Sequence, residues 1–140
     1  MKQNVNLRDR RQRQAMRRRI ARARIALGAV ALGTGANLVF LWLGIPFRIY
    51  ASASFWYYVN LLSGNRWIGS LLGVATCLGY GFWIRDVALG RKLYAADTAF
   101  LLMVCLFLLE NPLCCLPELV VHGAVLVLLW PSTGKFPLRG

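Results

Sequence analysis

The sequence predicts an all-α integral membrane protein with four transmembrane helices, the third and fourth a helical hairpin, behind a basic, helical N-terminal arm. Three observations predict it. Hydrophobic residues fill 58% of the 140 positions and charged residues 16%, against about 45–50% and about 25% in soluble domains; mean hydropathy is +0.52. Uncharged stretches long enough to cross a bilayer core of about 30 Å recur along the chain. The formal net charge of +12 is concentrated, because residues 1–24 hold ten Lys/Arg and a single Asp. The apolar content excludes a disordered chain and disfavours a water-soluble nucleic-acid-binding domain.

The arm occupies residues 1–24. Nine arginines lie between residues 8 and 24, with Asp9 the only acid, and residues 10–24 contain neither Gly nor Pro, so a helix running into the first span is expected. Arg10, Arg11, Arg13, Arg17, Arg18, Arg19, Arg22 and Arg24 are candidate contacts to anionic lipid on the cytoplasmic face, at roughly 1 kcal/mol for each residue near the surface, or to an acidic partner protein. Nucleic acid is disfavoured, since no aromatic residue is interleaved to stack bases.

The membrane domain is expected over residues 25–134, with a cytoplasmic tail at 135–140. Residues 25–44 follow Arg24 as 20 uncharged positions and end at Gly44 and Pro46, where Pro removes a backbone donor. Residues 67–84 are uncharged between Arg66 and Arg85, with Trp67 and Trp83 at the ends, where indole rings favour the headgroups. Residues 93–131 form one long apolar stretch, with Asp97 and His122 inside it, broken by ENPLCCLPE at 110–118, which implies spans at 93–109 and 117–131 around a turn. Residues 45–65 carry one charge, Arg48, and the aromatics Tyr50, Phe55, Trp56, Tyr57 and Tyr58. They read as a fifth span or as an outer interfacial segment in the headgroup zone. Charge bias decides: four spans place 15 basic residues inside and two outside, whereas five spans place 11 and six. Four spans with both termini in the cytoplasm are therefore expected, in the bacterial inner membrane. An organellar inner membrane is the alternative, although the arm lacks the serines of a transit peptide. Ala51-Ser52-Ala53 fits a signal-peptidase pattern, but the preceding apolar run is too long and ends too early for cleavage there.

Small residues set the expected helix contacts. Gly69, Gly73, Cys77 and Gly81 recur every fourth position in the second span, and Ala29/Gly33 and Ala31/Gly35 do so in the first, so each set falls along one face where backbones can approach. Asn37 and Thr76 are expected to bond a neighbouring helix or their own preceding turn.

Polar groups supply the weak site candidates. Glu118 and His122 are four apart on the last span, with Glu110, Cys114 and Cys115 on the adjoining turn. Carboxylate, imidazole and thiol are metal-ligand types, but no standard ligand spacing is present, so no metal is expected and Glu118, His122, Cys114 and Cys115 are only weak candidates. The glutamates are expected in water or headgroups at the outer end of the hairpin. Asp97 is placed near the inner end of span three, paired with Arg91, Lys92 or Arg85 and remote from His122 and the glutamates. No cofactor is named by the sequence. Too few polar groups for a transport pathway, together with the small-residue faces, favour an accessory, assembly or structural subunit of a larger membrane complex, with membrane lipids and other subunits as partners. A small transporter or lipid-handling protein is the first alternative, and a redox or cofactor-binding protein using Cys114, Cys115 or His122 the second. The chain is more readily a non-enzyme than an enzyme.

Overall fold

A computed structural model describes residues 2–107 and 112–130, whose regular elements are all helices with no strand among them. α1 (Lys2–Leu43) runs 42 residues without interruption, so arm and first apolar stretch form one rod of about 63 Å. Gly44 stops it at φ +69°. The Gly44 N–H donates to the Leu41 carbonyl and the Ile45 N–H to Phe40, a paired closure that takes up the last helix carbonyls. After α2 (Phe55–Ser63), Gly64 turns the chain at φ +64°. Asn65 then caps α3 (Arg66–Trp83) by accepting from the Trp67 and Ile68 N–H groups. Asp86 starts α4 (Val87–Phe107) by accepting from Ala88 and Leu89, both at 3.1 Å. A 3₁₀ turn at Pro112–Cys115 leads into α5 (Leu116–Leu129).

The all-helical fold class stands among the described residues, and α1, α3, α4 and α5 fall on the described parts of the four stretches expected to span. By length and composition, however, one helix among the described residues is long and apolar enough to cross a membrane, within Arg10–Leu43. The reasons are physical. α4 carries Arg91, Lys92 and Asp97 in its first half, and α5 has 14 residues, about 21 Å of helix. The outer end expected for the third span falls among residues 108–111, outside the described residues, as do Glu110 and the 135–140 tail.

The largest departure from expectation is residues 45–65. They do not lie flat beyond the helix ends. The chain turns back along α1, and its lowest part is fixed by two polar residues of that helix. The Asn37 amide donates to the Ile49 carbonyl (3.0 Å) and to Ser52 Oγ (2.6 Å), and its oxygen accepts from the Ile49 N–H (2.8 Å). The Ala53 N–H donates to Thr34 Oγ1 at 3.1 Å. Thr34 lies ten residues before Gly44, so the loop descends about 15 Å beside the helix before α2 returns. Gly33 makes the approach possible: a Cβ there would stand 3.3 Å from Ile49 and 3.5 Å from Ser52. Trp56 and Tyr58, expected among headgroups, are buried instead.

α1 and α3 pack along much of their length, with α2 against α3 and α4 against α5. The main core joins Leu27, Val30 and Leu38 of α1 to Trp56, Tyr80, Tyr94 and Leu129.

Candidate functional site

The descending loop ends inside the bundle, and its last residue is Ser54, fully buried at the N-terminus of α2. Its hydroxyl does not cap the helix. Asp97 of α4 does so instead, accepting from the Ser54 N–H (2.8 Å to Oδ2) and the Phe55 N–H (2.7 Å to Oδ1). A carboxylate there meets unpaired donors and the positive end of the helix dipole. The freed Ser54 hydroxyl turns to α5, 2.6 Å from Glu118 Oε1 and 3.0 Å from His122 Nε2.

Four charged or ionisable side chains thus meet around one serine. The Arg48 guanidinium, carried by the loop, forms an ion pair with Glu118 Oε1 and lies over the Tyr57 ring at 3.8 Å, an attractive placement for a cation. Tyr58 donates to Glu118 Oε2 at 2.9 Å. His122 stands 3.9 Å from both Asp97 Oδ2 and Glu118 Oε1. Its Nδ1 is 3.3 Å from Thr98 Oγ1, and Tyr94 stacks on its ring at 4.9 Å. Glu118 and His122 share one face of α5 because they are four residues apart.

Two expectations are corrected here. Asp97 is not remote from His122 and Glu118 but joins them, because the inserted loop bridges α4 to α5. Its expected partner Arg91 donates to the Trp130 carbonyl instead, at 3.3 Å. Glu118 is not solvated at the hairpin end; only 2% of it is exposed. Arg48, Ser54, Tyr58, Tyr94 and Thr98 were not singled out as site residues from the sequence. The available signal was an imbalance: Thr34, Asn37, Asp97, Glu118 and His122 are polar groups in apolar helices, and buried polar groups require partners.

No family model, curated protein or solved structure matches this chain.

The chemistry of the cluster follows from counting hydrogens. Each hydroxyl has one. Thr98 gives its own to the Tyr94 carbonyl at 2.8 Å, so toward His122 it can only accept, and Nδ1 carries a proton. If Ser54 gives its hydrogen to Glu118, then Nε2 must donate to Ser54, and His122 is an imidazolium between two carboxylates. If one proton passes from Nε2 to Ser54 Oγ while the serine hydrogen passes to Glu118, the imidazole and the carboxyl are both neutral. Each arrangement satisfies every group along the Glu118–Ser54–His122 line. In each, the charges of Arg48, Glu118, His122 and Asp97 sum to zero.

A serine beside an imidazole is also the pairing of a nucleophile with its base. Here the geometry counts against attack. Ser54 and His122 are fully buried, and the N–H groups that could stabilise an oxyanion hold Asp97.

Two cavities approach the cluster from different directions. One, about 360 Å³, lies between the end of α1, the loop and the start of α3, and is lined by Arg48, Asn37, Tyr57 and Arg66. The other, about 470 Å³, opens between α3 and α4 and is lined by Asp97 and aromatic side chains.

The remaining sequence candidates are distributed as follows. Arg10, Arg11, Arg13, Arg17, Arg18, Arg19, Arg22 and Arg24 are all exposed on α1. Gly69 faces the Asn60 side chain and Gly73 faces Leu38, a Cβ at Gly35 would stand 3.4 Å from Cys77 Sγ, and Gly81 faces open space. Thr76 bonds its own preceding turn at Leu72. Cys77, Cys105 and Cys115 are free thiols, and the Cys114 side chain lies outside the description. Among the described residues no three His, Cys, Asp or Glu side chains converge as a metal site. Glu118 and His122 are already engaged by Arg48, Ser54, Tyr58 and Thr98.

Proposed function

We propose that the chain is a four-span membrane protein with both termini in the cytoplasm, a re-entrant segment at 45–63, and a role as a small proton-coupled transporter. The observation that carries this reading is the Glu118 Oε1–Ser54 Oγ–His122 Nε2 line, with steps of 2.6 and 3.0 Å. Ionisable residues inside membrane helices are costly and mark ion paths and proton relays. Non-helical backbone at membrane depth occurs where protein buries it or a cavity borders it, which describes residues 45–54. From the sequence, polar groups were too few for a pathway and Asp97 stood apart from Glu118 and His122; the second objection is the one that bears on a relay. Their convergence removes it, and the cavities reaching Arg48 and Asp97 supply two approaches to one relay. In this placement the arginine arm anchors the cytoplasmic face on anionic lipid, and the cavity at Arg48 and Arg66 opens to the opposite side.

The test is proton flux into vesicles holding the purified full-length protein, driven by a pH gradient with an organic cation enclosed as the exchangeable solute, and read with an entrapped pH-sensitive dye. Flux above empty vesicles is expected, with a loss of tenfold or more in Ser54→Ala, whose methyl group interrupts the line. Flux equal to that of empty vesicles, or unchanged in Ser54→Ala, overturns the reading.

A specific observation favours a second reading, the accessory or assembly subunit. Between α1 and α3 an outward groove of about 640 Å³ is lined by Ala31, Gly35, Ala36, Cys77 and Gly81, with Arg85 at one end. Small residues of this kind admit a partner helix. Co-purification of a stable larger assembly, lost in Gly35→Leu and Gly81→Leu, would support it.

A further inference from the structure

We infer that the cavity between α3 and α4 binds a membrane-soluble organic cation, with Asp97 as its counter-charge. This rests on the relay reading and names the solute for it.

The cavity, about 470 Å³, combines two features seldom placed together in an apolar bundle. Its walls are aromatic pairs: Phe55 against Phe100 with ring centroids 5.0 Å apart, and Tyr80 against Trp83 at 5.6 Å. Asp97 is the one ionisable carboxyl among its lining residues. Aromatic faces carry negative quadrupole potential and attract cations, more strongly as the site is desolvated. Leu72, Ala75, Leu93 and Ala96 add apolar lining, and Thr76 turns its hydroxyl to the Leu72 carbonyl of its own helix, which suits a ligand that arrives through lipid and not a hydrated metal ion. An anion would meet a carboxylate and four ring systems with no cation in the lining.

Charge counting fixes what must happen when the cation enters. The charged and titratable groups around Asp97 are Arg48 from the loop, Tyr80 from α3, Tyr94 from α4, and Glu118 and His122 from α5. With the tyrosines neutral, Arg48, Asp97, Glu118 and His122 sum to zero while the shared proton is held. A monovalent cation at Asp97 would leave the buried cluster at +1. Release of that one proton from His122 or Glu118 to bulk water restores zero. Charge balance therefore exchanges one cation for one proton, and the Ser54 line is the path by which the proton departs.

The probe is tetraphenylphosphonium, compared with tetraphenylborate, an anion of the same shape. Binding to the purified full-length protein in detergent micelles is measured by equilibrium dialysis against empty micelles. Saturable binding of about one phosphonium per chain is expected, with no saturable borate binding. Asp97→Asn is expected to weaken phosphonium at least tenfold. Because Asp97 also caps α2, Trp83→Leu, at a partly exposed wall residue, is the second variant and is expected to weaken it several-fold. Affinity is expected to fall with decreasing pH, by up to tenfold per unit for a single exchanged proton. Equal saturable binding of borate, or phosphonium binding unchanged in both variants, overturns the proposal. Absence of saturable phosphonium binding with Ser54-dependent proton flux intact overturns the cation site alone. Absence of flux overturns the relay reading on which it rests.

Discussion

Removing Arg48 tests whether the inserted loop is held by charge. The Arg48 side chain is 14% exposed and that of its partner Glu118 3% exposed, so the pair is largely withdrawn from solvent. Breaking a buried pair from one side leaves an uncompensated charge and costs about 3–5 kcal/mol; partial exposure of Arg48 argues for the lower end. Loss of its contact with Tyr57 adds about 1 kcal/mol. Arg48→Met is therefore expected to destabilise by about 3–4 kcal/mol. Glu118→Gln keeps acceptor and donor atoms near Ser54 and Tyr58 but strands Arg48, for about 2–3 kcal/mol. The double variant removes both charges together and is expected to cost about 2 kcal/mol less than the sum, a coupling energy of the size found for residues in one network. The assay is unfolding by SDS in mixed micelles, followed through Trp fluorescence, since the fully buried Trp56 sits two residues from Ser54. A coupling below about 0.5 kcal/mol would refute the claim that this pair pins the loop.

Other consequences are open to simpler measurement. Gly69→Ala sets a Cβ against the near end of the Asn60 side chain, while Gly81→Ala meets nothing within 4 Å. The first is expected to destabilise by about 1–3 kcal/mol and the second to be neutral or to stabilise by up to about 1 kcal/mol; equal effects in the same SDS titration would remove the distinction between packed and open glycines. Gly33→Val fills the surface on which Ile49 and Ser52 rest, so it is expected to raise hydrogen exchange at residues 45–54 with α3 unaffected, and uniform protection would contradict the docking. A single reporter thiol at the exposed Ser63, with the native cysteines replaced, is expected to label from outside intact cells with an impermeant maleimide. Labelling only after lysis would overturn the topology. Arg17, Arg18 and Arg19 changed together to Gln should lose roughly 3 kcal/mol of attraction to anionic lipid, read as faster tryptic cleavage at Arg10, Arg11 and Arg13, sites kept in both proteins, in vesicles containing phosphatidylserine. An unchanged cleavage rate would assign the arm another role.

The helices were legible because apolar length is a local signal. Residues 25–44, 67–84, 93–109 and 117–131 can each be read within one window, and α1, α3, α4 and α5 cover them apart from the undescribed positions. The path of residues 45–65 was not legible, because what pulls that segment inward lies far away in sequence. Ser54 meets Asp97, Glu118 and His122 at separations of 43, 64 and 68 residues, and Arg48 meets Glu118 at 70. Read alone, an aromatic-rich stretch with one arginine matches the headgroup zone, and charge bias asks only that it not cross. The insertion was implied by two complementary shortages. The helices held Thr34, Asn37, Asp97, Glu118 and His122 with too few partners of their own, while the segment offered Arg48, Ser52, Ser54 and free backbone donors.

Those shortages explain why the segment enters as irregular chain before turning helical. A helix satisfies its own backbone groups and leaves only its first donors free. The descending residues do the opposite: the Ile49, Ala53, Ser54 and Phe55 N–H groups are all available, and Asn37, Thr34 and Asp97 accept from them. Had residues 45–54 been helical, most of these donors would have bonded within the segment, and Asn37 and Asp97 would have lost the donors that now engage them. The resulting arrangement fixes the charges and leaves one proton with two sites. Arg48 and Asp97 are tied by ion pair and helix cap, whereas the Glu118–Ser54–His122 line satisfies its hydrogen bonds equally well with the proton at either end. Bistability of this kind requires the serine hydroxyl to donate one way and accept the other. Ser54→Ala and Ser54→Thr therefore separate the roles. Alanine removes the hydroxyl of the proposed relay and a buried acceptor together. Threonine keeps the hydroxyl and is expected to retain proton flux, provided that its added methyl is accommodated beside Ala53 and Phe55. Loss of flux in both variants with folding intact would mean that the serine positions the loop and does not carry the proton.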